Sequence, residues 1–180
     1  MLETLLGDEV EASGKYIAEV IYGANDGIVT TFAVVAGVAG ASLAPSIVVV
    51  LGVANLLADG FSMGMSNFLS QRSERAYRTS KGIETAQSER NEKPPAKTAA
   101  ATFLAFVVAG WTPLVPYLLS LEPLFELSVL FTGVAFFGVG ASRTLVTDGP
   151  WWRNGTEMFV VGMAAALVAF TVGNLLENIA

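Results

Sequence analysis

The chain has 180 residues, 53% of them hydrophobic and 14% charged, with a formal net charge of -6; a soluble domain carries about 25% charged residues, so this is the composition of a membrane protein. Cysteine and histidine are both absent, which excludes disulfides, thiolate nucleophiles, Ser-His-Asp triads and histidine-ligated zinc. The acidic balance identifies no partner, nucleic acid included, because the acidic residues lie mainly in the termini and loops.

The first eleven residues contain Glu3, Asp8, Glu9 and Glu11 and no basic stretch leading into an apolar core, so no cleavable signal peptide is expected. Five apolar segments follow, at residues 16–41, 45–69, 98–119, 125–146 and 157–176. Each has about 20 residues or more, enough at 1.5 Å per residue to cross a hydrocarbon core of about 30 Å. The expected fold class is therefore all-α: a single integral membrane domain over residues 1–180 with five transmembrane helices.

Span one opens YGANDGIVTTFAVVAG, with Asn25 and Asp26 ahead of the long apolar run. Residues 40–45, GASLAP, read as a tight hairpin, with Pro45 suited to the first turn of the next helix. Span two contains GVANLLADGFSMGMSNFLS, residues 52–70, in which Asn55, Asp59, Ser62 and Met63 interrupt an otherwise apolar run. On a helix Asn55, Asp59, Ser62 and Ser66 fall on one stripe, with Met63 one turn beyond Asp59. An ionisable group at that depth costs roughly 2.5 to 3.5 kcal/mol on insertion scales and so marks a site.

Asp26 lies fifteen residues before Ala41 and Asp59 fifteen after Ala44. Both are then about 22 Å from the hairpin tip, level with one another in the inner half of the bilayer. With Asn25, Thr30, Asn55, Ser62 and Met63 they form a polar track. Two carboxylates at one level in hydrocarbon cannot both hold charge without a cation between them. A divalent cation meets that need, and protons take its place when it leaves, which predicts a site that exchanges metal for protons. Oxygen ligands alone suit magnesium, calcium or manganese; the Met63 sulfur shifts preference toward ferrous iron.

The same residues have packing readings. Met63 serves equally as core filler, Asp26 before Gly27 as a helix-entry cap, and Asn55 as an interhelical hydrogen-bonding group. Met65 lies on another face. Gly23 with Gly27, and Gly60 with Gly64, have the spacing that lets helices approach closely, which places the track between tightly packed backbones.

Residues 71–97, QRSERAYRTSKGIETAQSERNEKPPAK, form a charged connector expected to continue the second helix and to be broken by Pro94 and Pro95. It reads as a solvated link or as a reduced ion-collecting appendage using Glu74, Glu84, Glu89 and Glu92. In span three, WTPLVPY (111–117) is expected to bend the helix. Residues 120–126, SLEPLFE, make a second short turn, and 147–156, TDGPWWRNGT, join the last two spans, with Trp151 and Trp152 placed like an interfacial belt. Glu157 is expected to open span five.

Seven of the ten basic residues lie between spans two and three, Lys15 precedes span one, and Arg143 and Arg153 bracket the link between spans four and five. All ten share one side, so the amino terminus is expected in the cytoplasm and the carboxyl terminus outside or in a lumen. No GxxxxGK[ST] motif occurs, so nothing couples movement to ATP hydrolysis and transport would be secondary or passive.

YGANDGIVTTFAVVAG followed by GVANLLADGFSMGMSNFLSQRSE resembles the first two spans of the vacuolar iron transporter family, whose members have an SDGL-type turn and a GLAxxxAxxxSMGxxxYL-type second span. The resemblance covers about the first 75 residues; GWTPLVPYLL and the glycine-containing last span agree more loosely. It implies a homodimer with the ion path at the subunit interface, moving ferrous iron, sometimes manganese, out of the cytosol in exchange for protons. By position, the family's span-one aspartate falls on Asp26 and its span-two methionine on Met63. Its span-two glutamate falls on Asn55, so Asp59, one turn inward, is expected to supply the missing carboxylate. The proline that bends span one in plant members falls on Thr31. Glu74 matches a family glutamate at the exit of span two and is the candidate for cytoplasmic ion entry, but the external metal-binding helices are reduced to a connector without their methionine pair.

The resulting expectation is a secondary transporter of Fe2+ and/or Mn2+ that exports the ion from the cytosol in exchange for protons. It is expected to be a homodimer in the bilayer, with no permanently bound cofactor and no enzymatic activity, in a prokaryotic inner (cell) membrane. The alternatives are a membrane-embedded metal-dependent enzyme, such as an alcohol phosphatidyltransferase, for which Asp26 and Asp59 are too few acidic groups, or a noncatalytic helix-packing protein.

Overall fold

Inside a bilayer each backbone N–H and C=O must find its partner within the segment, so long apolar stretches fold as helices. The computed structural model describes residues 15–83, 93–145 and 149–177. It contains five helices long and apolar enough to cross a membrane, and no strand among the described residues. Helix α1 spans Ile17–Gly40 and α2 Pro45–Ser80. The third span consists of α3 (Pro95–Gly110), a 3-10 turn (Thr112–Leu114) and α4 (Val115–Leu118). Helix α5 (Leu124–Ser142) and α6 (Trp151–Leu176) complete the bundle.

Proline sets several of these starts. Pro45 and Pro95 occupy first-turn positions, where a missing N–H costs nothing, and Pro150 precedes α6 with an extended backbone. Between α1 and α2 the Leu43 N–H donates to the Val38 carbonyl at 3.1 Å, closing the short hairpin. Pro113 and Pro116 convert the carboxyl end of the third span into a 3-10 turn and a short helix. The Ser128 hydroxyl of α5 donates to the Pro113 carbonyl at 2.7 Å, satisfying an acceptor in that broken stretch.

Two boundaries differ from the sequence expectation. The connector does extend α2, but the helix stops at Ser80, well before the prolines. There Gly82, at φ 63°, lets the Ile83 N–H reach the Arg78 carbonyl and its own N–H reach that of Thr79, a glycine-dependent helix stop. Glu157 does not open span five. Helix α6 starts six residues earlier at Trp151, because Gly155 fits its backbone against Phe137 and Asn154 Nδ2 donates to Thr144 Oγ1 at 3.2 Å. Trp151 and Trp152 thus sit in the first helical turn, and Glu157 pairs with Arg143 at 3.5 Å.

Helix α1 is the hub: it packs on α3 most extensively, then on α6, α2 and α5. A Cβ at Gly23 would collide with the Thr102 carbonyl oxygen, and one at Gly27 with that of Phe106. Farther along, Gly40 lies against the Phe170 carbonyl and Gly173 of α6 against that of Gly37. The core between these contacts contains Phe32, Val35, Ala36, Val48 and Leu114 toward the hairpin end, and Ile28, Phe136 and Met158 toward the other.

Replacing Gly27 by Ala forces α1 off α3 and is expected to cost about 1–3 kcal/mol, whereas Gly138→Ala, at a position with open space around its Cβ, is expected to leave stability level or slightly raised. Tryptophan-fluorescence melting in detergent separates the two; equal melting points would contradict this packing.

Candidate functional site

Helix α2 buries Val48, Gly52, Leu56, Gly60 and Gly64, one residue per four, against the rest of the bundle. Residues one position earlier, Asn55, Asp59 and Met63, therefore flank that ridge and are half-buried. Both glycine pairs noted in the sequence pack against α3: Gly60 and Gly64 meet Phe103, Phe106 and Ala99, while Gly23 and Gly27 meet Thr102 and Phe106. The polar stripe is consequently not enclosed between the close-packed backbones. It borders the face of α1 left open between α2 and α6, where a Cβ on Gly37 would meet nothing within 4 Å and Tyr22 is exposed.

Asp26 is half-buried on that open face and lies within electrostatic range of Asp59. Among the described residues no cationic side chain pairs with either carboxylate. The Thr30 hydroxyl donates to the Asp26 main-chain carbonyl at 2.9 Å, which leaves its oxygen lone pairs available. Asn25 is half-buried about 100° round the helix from Asp26. Among the described residues three polar side-chain atoms are shut off from solvent without a hydrogen-bond partner: Asn55 Nδ2, Thr31 Oγ1 and, on α5, Thr132 Oγ1. Thr31 leaves α1 an unbroken helix. Ser62 and Ser66 are exposed, as is Met65. Glu74 lies near the carboxyl end of α2, exposed and paired with Arg78. Glu84, Glu89 and Glu92 fall outside the described residues.

Three polar residues escaped the sequence reading. Asn67 Nδ2 donates to Thr102 Oγ1 at 3.1 Å, and Gln71 Nε2 donates to Asn67 Oδ1 at 2.6 Å and to Thr98 Oγ1. Asn55, Asp59, Met63, Asn67 and Gln71 thus continue one four-residue stripe beyond the apolar segment, and extending that periodicity past residue 66 was the signal that would have found them. The third, Glu19, shares the face of α1 that carries Asp26 and binds Lys93.

Among the described residues no three His, Cys, Asp or Glu side chains lie close enough to hold a metal ion. Asp26 of α1 and Asp59 of α2 come within electrostatic range of one another, with the Asn55 amide and the Met63 thioether on the same stripe of α2 as Asp59.

A family model described as the VIT family matches residues 17–93 and 76–174. The chain belongs to the VIT family. Within the family it is similar to a vacuolar iron transporter 1 from Arabidopsis thaliana, 24% identical, with 98% of this chain and 93% of that protein covered. It is also similar to a vacuolar iron transporter homolog 5 from Oryza sativa subsp. japonica, 27% identical, with 96% and 86% covered. A vacuolar iron transporter from Toxoplasma gondii is 44% identical over 77 residues, which are 41% of this chain and 26% of that protein. The Arabidopsis alignment runs over 233 positions against 180 residues here, so this VIT family chain is short within the matched region, whereas the rice alignment needs only 186.

In this VIT family member, the unpaired like charges make Asp59→Asn a diagnostic change. It is expected to stabilise the metal-free protein by about 1 kcal/mol of relieved repulsion, raising its melting temperature, and to reduce stabilisation by added Mn2+. A lower melting temperature would assign Asp59 to packing.

Proposed function

We propose that this integral membrane protein carries divalent transition metal ions, Fe2+ and secondarily Mn2+, out of the cytosol in exchange for protons. The observation that carries the reading is the Asp26–Asp59 pair: two carboxylates from neighbouring membrane helices, within electrostatic range, half-buried and without a cationic partner among the described residues. Like charges so placed are tolerated when a cation sits between them or when protons neutralise them, and alternation between those two states is metal–proton exchange. The relatives named as iron transporters agree with iron as cargo, and Met63 on the same stripe supplies the softer donor that favours ferrous iron over magnesium or calcium.

A homodimer completes the site in this reading. Two copies meeting across the open faces of α1 would double the two carboxylates into four and give the half-buried stripe a second wall. The basic residues favour a cytoplasmic amino terminus, which puts the stripe in the inner half of the bilayer. The relatives are eukaryotic proteins named for the vacuole and give no support to the prokaryotic cell membrane expected from the sequence. Two lone carboxylates also offer little to an embedded metal-dependent enzyme.

Proteoliposome uptake of Fe2+ and Mn2+ under an imposed pH gradient tests the proposal. Asp26→Ala and Asp59→Ala are each expected to lower flux at least about tenfold while leaving the protein folded and dimeric. Full flux in both variants would dismiss the site, and loss of the dimer in Asp59→Asn would favour an assembly protein.

A further inference from the structure

The inner end of the bundle holds a charged basin that the two aspartates do not explain. Glu19 precedes Asp26 by seven residues on the same face of α1, about 10 Å nearer the inner end. Its carboxylate binds the Lys93 ammonium with both oxygens, at 2.8 and 3.0 Å. Glu19 is 14% exposed and Lys93 31%, so this pair is better shielded than an ordinary surface ion pair. The ammonium also lies 5.9 Å from the centre of the Tyr16 ring, and Arg75 donates to the Lys93 main-chain carbonyl at 2.7 Å. Around them is a cavity of about 300 Å3 lined by Glu19, Gln71, Glu74, Arg75, Arg78 and Lys93. Two carboxylates there face three cationic groups. Gln71 binds Asn67, which stands one turn inward of Met63, so the basin is continuous with the polar stripe.

We propose that Glu19 is a cation-binding carboxylate at the inner mouth of the stripe and that Lys93 is its tethered competitor, an ammonium that an incoming divalent ion must displace. Lysine suits the role because its charge is compact and rides on a flexible four-carbon stem. Its attachment just before α3 keeps it at high local concentration. A monovalent ion would replace one unit charge with another and gain nothing, whereas a divalent ion brings an extra charge to the carboxylate. The lysine thereby screens against monovalent cations. The inference rests on the transport reading for its purpose, but the binding competition stands apart from flux.

The test is equilibrium Mn2+ binding to the full chain in lipid nanodiscs, read from the electron paramagnetic resonance of free Mn2+. Lys93→Met and Lys93→Gln are expected to tighten binding about 5- to 10-fold, the size of removing one unit charge at roughly 4 Å in a largely aqueous setting. Glu19→Gln is expected to erase that gain in the double variants, and the gain is expected to survive in an Asp26→Ala, Asp59→Ala background. Unchanged or weaker binding in the lysine variants, a gain that persists without Glu19, or loss of fold in both lysine variants would each overturn the proposal, the last by showing a structural clasp. A lysine-dependent shift accompanied by flux indifferent to Asp26 and Asp59 would overturn the transport reading alone.

Discussion

The bundle depends on how closely the backbone of α1 can approach its neighbours. Hydrocarbon supplies no hydrophobic drive between helices, so association relies on van der Waals contact, and small residues permit the most of it. Gly23 and Gly27 bring α1 onto the carbonyls of Thr102 and Phe106 in α3, and Gly40 and Gly173 allow the same approach between α1 and α6. Committing these faces leaves the sector between α2 and α6 uncovered, and that sector carries Asp26. The open groove follows from where the glycines are.

Polar groups in the bundle divide into those that tie helices together and those left without a partner. Asn67 and Gln71 exhaust much of their hydrogen-bonding capacity on each other and on Thr98 and Thr102, which fastens the carboxyl half of α2 to α3. Ser128 does similar work on the broken carboxyl end of the third span. Asp26, Asp59 and the buried amide nitrogen of Asn55 have no such tie among the described residues. Unpaired groups are costly in a membrane and are retained where a ligand meets the need. The contrast, within one four-residue stripe of α2, is the physical basis for separating structure from site.

At the end of the bundle away from the α1–α2 hairpin, charge is arranged by elements far apart in sequence. Glu19 comes from the start of α1, Gln71 to Arg78 from the end of α2, and Lys93 from the approach to α3. The Gly82 stop ends α2 at Ser80, and Lys93, just ahead of α3, meets Glu19. A connector this short still assembles a charged basin beside the polar stripe.

Five membrane helices were legible in the sequence because hydropathy and backbone satisfaction act within each segment. From the short hairpin and a fixed rise per residue the sequence also predicts Asp26 and Asp59 near one another, and they come within electrostatic range. Glycine spacing revealed that close approaches exist but not with which helix, since any helix offers a carbonyl; only the tertiary structure turned both pairs toward α3 and opened the groove. The start of α6 was misplaced because tryptophans read as interfacial anchors until Gly155 is seen packed on Phe137. Exposure of Ser62 and Ser66, the half-buried stripe through Asn67 and Gln71, and the bond between Glu19 and Lys93, 74 residues apart, were decided by packing between distant segments. Sequence periodicity describes one helix at a time and holds no record of its neighbours.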